Sequence, residues 1–241
     1  MTDTASEDVS STADRLQLAA LFADVARSLY EQPTSESTLA AVADMACSTV
    51  SGTDCASITS LRAGDLVTVA TTEDLLREAD RLQQRCGEGP CLESLKEGRT
   101  VHIEDLRVSE RYPVLNPKLV ELGFGSVLAY QLFAGERRLG ALNLFASRPN
   151  AFDDEALQLG DVFATHAAVA LAAAFKEEQL VVAVSTRDLI GQAKGILMER
   201  HKIGAEAAFA LLVRGSQNAH RKLREVAEEV TRTGVDPHLR R

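Results

Sequence analysis

The sequence predicts an α+β domain with a central antiparallel sheet flanked by helices, then a long connector helix and an all-α three-helix bundle. Three observations lead there. Between residues 55 and 146, strand-like runs come in pairs joined by short glycine-containing turns, the mark of antiparallel hairpins. From Asp153 onward the pattern stays helical, with no proline before Gly191 and no glycine between Gly160 and Gly191. Finally, Arg187 to Val230 reads as three short helices with lysine and arginine set between apolar positions.

The elements follow in order. Residues 1–12 are rich in Ser, Thr, Asp and Glu and are expected to be a disordered tail. Leu18, Leu21, Phe22, Val25 and Leu29 recur at helical spacing, placing a first helix over 13–30, which Pro33 ends. A second helix over 36–50 carries Leu39, Val42, Ala43, Ala46 and Val50 on one face, with Ser35 as its cap. Runs Ala56–Leu61 and Leu66–Ala70 form a hairpin through Arg62-Ala63-Gly64-Asp65. A helix over Leu75–Gln84 stops at the Gly87-Glu88-Gly89-Pro90 break, and Thr100–Ile103 reads as a strand. Asp105 to Glu121 is a long loop with helical patches, and strands Ser126–Phe133 and Arg138–Phe145 flank a turn at Ala134-Gly135-Glu136. Leu159, Val162, His166, Val169, Ala173, Leu180 and Ala183 then keep three- and four-residue steps, a seam of 3.5-residue period that favours pairing with another helix. Helical as far as Arg200, the segment would span roughly 70 Å.

Composition sets the class. The chain has 241 residues, 45% hydrophobic and 25% charged, enough for one large or two modest domains with real cores. The longest apolar run, Ala167 to Phe175, falls well short of the ~20 residues that span a bilayer, and residues 1–12 lack the apolar stretch of a secretory signal. A cytoplasmic protein without a membrane segment is expected. Residues 1–175 hold 14 Lys and Arg against 26 Asp and Glu, while residues 176–241 hold 12 against 9. The net charges, −12 and +3, give the −9 of the whole chain. An acidic body with a basic end fits a sensor carrying a nucleic-acid-binding tail, but from charge alone a solvated helical surface is the favoured reading.

Two sets of motifs carry resemblances to known families. Ala193-Lys194-Gly195-Ile196-Leu197-Met198, then Ala207-Ala208-Phe209, then Arg221-Lys222-Leu223-Arg224 closely resemble the ANTAR domain, a bacterial three-helix RNA-binding module that controls transcription termination. The order of elements upstream resembles a GAF domain, a small-molecule-sensing α+β fold. The words Gly87-Glu88-Gly89-Pro90-Cys91-Leu92, Leu139-Gly140-Ala141-Leu142-Asn143-Leu144 and Phe152-Asp153-Asp154-Glu155 support it. The organisation read from both is a tail (1–12), a GAF-like sensor that includes the start of the connector helix (13–175), a helical connector (176–186), an ANTAR-like bundle (187–233) and a second tail (234–241).

The ANTAR resemblance implies binding to an RNA of two hairpins whose loops engage two such domains, so that holding the antiterminator hairpin keeps the terminator from forming. A homodimer through the connector seam would supply the two domains, since linking weak sites raises their effective concentration. Lys194, Arg214, Arg221, Lys222 and Arg224 are the residues expected to face phosphates, with Ser216, Gln217 and the N-terminus of the third helix as hydrogen-bond donors. Phe209 falls on an apolar stripe with Leu212 and Val213 and is expected in the core with Met198, which leaves stacking to arginine planes or to His201 and His220. Small residues Ala193, Gly195 and Ala208 are expected to let the helices approach. His220 stands where the family pattern has asparagine, read here as a weaker N-cap for the third helix, with Asn218 as a substitute.

The sensor's input is not legible, whether an unidentified small molecule or a redox signal, and no cofactor or metal is assigned. Asn150 to Glu155 only loosely echoes the motif of cyclic-nucleotide-binding relatives, and His102 and His166 are candidate haem ligands more readily explained as structural. Cys86 and Cys91 bracket a Gly-Pro turn and are the candidate redox pair, a helix starting after Pro90 being expected to lower the Cys91 pKa. Buried inert thiols are the competing reading. Two other functions are weighed. One is a ligand or redox sensor whose helical tail binds a protein partner. The other is an enzyme like the GAF-fold free methionine-R-sulfoxide reductases, for which the chain lacks a full catalytic set, so no catalytic residue is assigned.

Overall fold

The computed structural model describes the backbone of residues 4–62 and 65–235, and the side chains of residues 16–60 and 65–235. The two turn residues Ala63 and Gly64, and the tail beyond Val235, lie outside the described residues. The chain divides into two compact units, residues 1–175 and 176–241.

In the first unit, helices α1 (Thr4–Tyr30) and α2 (Ser35–Thr49) precede strands β1 (Cys55–Arg62) and β2 (Asp65–Thr71). Helices α3 (Leu75–Cys86) and α4 (Pro90–Glu97), strand β3 (Val101–Ile103) and helix α5 (Asn116–Glu121) follow. Strands β4 (Ser126–Ala134) and β5 (Arg137–Ala146) complete the sheet, and α6 (Asp154–His201) leaves the unit. All pairings are antiparallel in the order β2-β1-β5-β4-β3, so the two hairpins join through β1 and β5 in the middle.

Each face of the sheet has its own core. On one, Ile58, Leu128, Tyr130, Leu142 and Leu144 meet Phe22, Val25 and Leu29 of α1, Val42 and Ala46 of α2, and Phe163, Ala167 and Leu171 of α6. On the other, Cys55, Val127, Ala129 and Phe145 meet Leu76 and Ala79 of α3 and the 104–125 segment through Leu106, Tyr112, Leu115 and Leu119. Gly160 lies where α6 crosses Tyr130: a Cβ there would sit 2.3 Å from the phenol oxygen, which donates to the Leu157 carbonyl at 2.8 Å.

Two local expectations are corrected, and one junction is made specific. The first helix begins at Thr4, within the segment expected to be disordered, because Thr4 to Thr12 holds no glycine or proline to stop a helix propagating backwards. The cap of α2 is Thr34, not Ser35: its extended backbone lets Oγ1 accept the Ser37 N–H at 3.1 Å while Ser37 Oγ accepts the Thr34 N–H at 3.1 Å. The Gly-Glu-Gly-Pro break is a helix-to-helix junction, since Gly87 closes α3 in the left-handed conformation at φ 70° and Pro90 opens α4.

In the second unit, the end of α6, then α7 (Ala205–Ala219) and α8 (Leu223–Thr233) enclose one small core of Ala193, Leu197, Ala208, Leu212, Val226, Ala227 and Val230. Among the described residues no helix is long and apolar enough to cross a membrane.

Candidate nucleic-acid interface and sensor interior

The helical bundle determines which polar side chains are left over. On α7 the buried positions are Ala208, Leu212 and Gly215, spaced four and three apart. Phe209 sits one position round the helix and is 42% exposed, so the expectation that it belongs to the core is overturned. The helices approach through alanine and glycine, which moves the contact face away from the large side chain. Ala193 and Ala208 are fully buried, as expected of close-approach residues. Gly195 is different: it is exposed, and a Cβ added there would meet nothing within 4 Å, so packing does not require it.

Phe209 borders a shallow surface hollow of about 550 Å³ together with Lys194, Ile190, Gly191 and Gln192 of α6. Arg187 and Asp188, 3.9 Å apart, line it as well. Of the seven residues read from sequence as RNA-facing, Lys194 alone lies on this hollow. Arg214 is exposed on α7, and Lys222 and Arg224 are exposed at the start of α8. Lys194, Arg214, Lys222 and Arg224 have no ion-pair partner among the described residues. Lys222 is the N-cap of α8 and offers no side-chain cap, which leaves two cations beside the positive end of a helix.

Arg221 is placed otherwise. Its guanidinium pairs with the Glu229 carboxylate and lies 3.7 Å from Glu225, and the two carboxylates raise its pKa, Glu229 foremost. It lines a second hollow with Glu225, Glu228, Glu229 and Arg232, a surface of mixed charge. Ser216 Oγ donates to the Arg221 carbonyl at 2.6 Å, so this hydroxyl ties α7 to the following turn, while the exposed Gln217 contributes its carbonyl to the His220 N–H at 3.3 Å. His220 is the C-cap of α7 in the left-handed conformation, φ 50° and ψ 37°. Its place is therefore not that of an N-cap for α8; the asparagine of the family pattern suits this backbone because asparagine tolerates left-handed geometry.

In the sensor, a polar band is buried where β1, β2 and β5 face α3 and α4. Thr68 donates to Asp80 Oδ2 at 2.8 Å, Gln83 Nε2 approaches Oδ1 at 3.5 Å, and Gln83 Oε1 accepts the Cys91 N–H at 2.9 Å. Thr59 Oγ1 and Cys91 Sγ are 2.7 Å apart, and the Asn143 amide donates to Thr59 and Ser57 at 3.2 and 3.3 Å. Asn143 Oδ1 and Ser94 Oγ are buried with no hydrogen-bond partner among the described residues. Burial pushes the Asp80 carboxyl up to about 6, against the pull of Thr68, Ser57 and Arg77.

Cys91 is fully buried, and burial, with the nearby Asp80, pushes its thiol up to about 12. The expected lowering by the α4 N-terminus is overturned, because loss of water outweighs the helix end. Cys86 borders the core under α3, whereas Cys91 joins a separate cluster with Leu66, Leu95 and Ala141; both thiols are free. Burial lowers the pKa of His102, whose ring meets Phe152 edge-on, and His166 stacks on Phe22. Asp153 Oδ1 accepts the Ala156 N–H at 2.8 Å, so this acid caps the start of α6. No group of metal-ligating side chains occurs among the described residues.

Comparison with protein families finds a GAF domain over residues 33–172 and an ANTAR domain over residues 178–230. Comparison with curated proteins finds no match. Among solved structures, the GAF domain of a phosphoenolpyruvate-protein phosphotransferase from Coxiella burnetii is 18% identical, with 68% of this chain and 98% of that chain covered at a TM-score of 0.53. The phytochrome photosensory core module of Stigmatella aurantiaca is 12% identical, covering 83% and 44% at 0.59. The reduced form of fRMsr from Staphylococcus aureus is 13% identical, covering 64% and 94% at 0.50. At these identities the likeness is one of fold.

Proposed function

From the premise that the chain belongs to the GAF domain family and carries an ANTAR domain behind its sensor, we propose that it is a signal-responsive transcription antitermination regulator. The ANTAR bundle holds a hairpin of nascent RNA and so keeps the competing terminator from forming. The observation that carries this reading is the division of labour in the bundle. Its core closes on small and aliphatic residues, leaving half-buried Lys194 and exposed Arg214, Lys222 and Arg224 without ion-pair partners among the described residues and able to meet phosphates. The start of α8 carries the exposed cations Lys222 and Arg224 beside a single first-turn carboxylate, Glu225, and its free N–H groups and the two cations suit an RNA phosphate.

Two ANTAR domains acting on two hairpins require a dimer, and the connector supports one. On α6, Phe163, Ala164, Ala167, Ala168 and Leu171 cover the chain's own sheet. Val162, Val169 and Leu180, on the 3.5-residue seam, stay 40%, 62% and 57% exposed. Leu159 and His166 of the seam pack on the chain's own domain, and a second copy of α6 covers the exposed Val162, Val169 and Leu180 as a coiled coil.

The sensor is regulatory, not enzymatic, in this reading. A thiol pushed up to about 12 and enclosed by Thr59, Gln83 and Asn143 is a poor nucleophile. The input, a small molecule or a redox change, acts in the cytoplasm on the sensor and alters the dimer through α6. The test is binding of the purified protein to a two-hairpin RNA with paired loops. Loop-dependent binding that weakens with salt supports the reading; equal weak binding to a loop-scrambled RNA rejects it in favour of a protein partner for the tail.

A further inference from the structure

Two glycines stand on the outer surface of α6 in the bundle, Gly191 and Gly195, where the helix gains nothing from them. A Cβ at either position would meet no atom within 4 Å. Glycine inside a helix is destabilising relative to alanine. No neighbour within the domain occupies the space they leave.

Beside Gly191, the hollow it lines holds a half-exposed phenyl ring, Phe209, and an ammonium, Lys194. The combination is specific in its chemistry. An exposed ring offers a stacking face, a bare stretch of helix lets a flat group come close, and a lysine at the rim neutralises a phosphate attached to that group. The amide of Gln192 adds a donor and an acceptor for a base edge. The hollow also carries one carboxylate, Asp188, with the Arg187 guanidinium 3.9 Å from it. Duplex RNA does not offer a free base face, but a hairpin loop does.

We propose that this hollow is the base-binding subsite of the RNA interface. One unpaired base of a hairpin loop stacks on Phe209 over the bare surface at Gly191, with its phosphate on Lys194. The proposal rests on the RNA-binding reading above and extends it from charge to recognition. Stacking on an aromatic side chain is worth roughly 5- to 150-fold in affinity per base, so a single ring in this position separates a loop from a stem.

The test uses the full-length protein and the two-hairpin RNA, with loop nucleotides made abasic one at a time. Phe209→Leu weakens binding roughly tenfold or more, while Phe209→Trp retains it. One abasic position weakens the wild type and weakens Phe209→Leu no further, because the stacking partner is already gone. Gly191→Gln, which meets nothing inside the domain and favours helix, keeps the far-ultraviolet circular dichroism of the wild type and loses RNA affinity. If Phe209→Leu and Gly191→Gln bind as the wild type does, the subsite is wrong and the RNA-binding reading stands. If the wild-type protein fails to distinguish the RNA from its loop-scrambled control, the RNA-binding reading falls, and the subsite with it.

Discussion

Ser216 donates its hydroxyl to the carbonyl of Arg221 at 2.6 Å, spanning a turn in which His220 holds φ 50°. The hydrogen bond and the left-handed residue together set where α8 begins. Histidine enters left-handed geometry more readily than most residues but less readily than glycine.

His220→Gly is therefore expected to stabilise the bundle by about 0.5–1 kcal/mol, and His220→Val to destabilise it by at least as much. Amide hydrogen exchange at Val226, Ala227 and Val230, the buried residues of α8, reads this locally. Protection several-fold above wild type for glycine is the expected result. Unchanged protection in both variants would mean the turn does not limit the bundle.

Lys194→Ala and Arg221→Ala separate free cations from engaged ones. Lys194 has no ion-pair partner among the described residues, whereas Arg221 is held by Glu229 and Glu225. Lys194→Ala is expected to leave the fold intact, weaken RNA binding about tenfold and reduce the salt slope by about one. Arg221→Ala is expected to change affinity less and to leave the fold intact, because so exposed a pair adds little to stability. Equal losses from both would place Arg221 on the RNA.

The exposed seam of α6 predicts the oligomeric state. Val169→Glu with Leu180→Glu puts like charges opposite each other in a symmetric pair, so light scattering is expected to show a dimer for wild type and a monomer for the variant. RNA affinity falls with it, since avidity is lost. A wild-type monomer would contradict the seam.

Asp80 predicts a pH dependence in the sensor. Its folded pKa, about 6, lies above its ordinary value of 3.8, so the folded state holds the proton more tightly than the unfolded state. Stability is then greatest below about pH 4 with respect to this group and declines as pH rises towards about 6, by up to roughly 3 kcal/mol. Asp80→Asn removes that slope. Tyr30, Tyr112 and Tyr130 all lie in residues 1–175, and the chain has no tryptophan, so tyrosine fluorescence during urea unfolding reports the sensor alone. Identical slopes for wild type and variant between pH 4 and 7 would exclude Asp80 as their source.

Much of the fold was legible because large apolar residues carry its pattern. Leu142 and Leu144 of β5 alternate with Ala141, Asn143 and Phe145, and the strand and its partner β4 were read within a residue or two of their ends. The continuous helix beyond Asp153 followed from the absence of proline and from a glycine-free run between Gly160 and Gly191. Phe209 was misread because Phe209, Leu212 and Val213 make as good a helical stripe as Ala208, Leu212 and Gly215. Hydropathy favours the larger residues, yet the closest helix approach uses the smaller ones. The hollow beside Lys194 was hidden for the same reason. The polar band around Asp80 was not legible at all: Ser57, Thr59, Asp80, Gln83 and Asn143 come from separate elements, and only the sheet register and α3 bring them together. A signal did exist at Gly191 and Gly195, two helix-weakening residues on a helix that gains nothing from them.

The most direct test is the affinity of the wild-type protein for a two-hairpin RNA with paired loops, measured beside a loop-scrambled control across a salt titration. Tight binding to the first alone, weakening as salt rises, is the predicted result. Equal, weak binding to both RNAs would contradict the assignment of the bundle as an RNA reader.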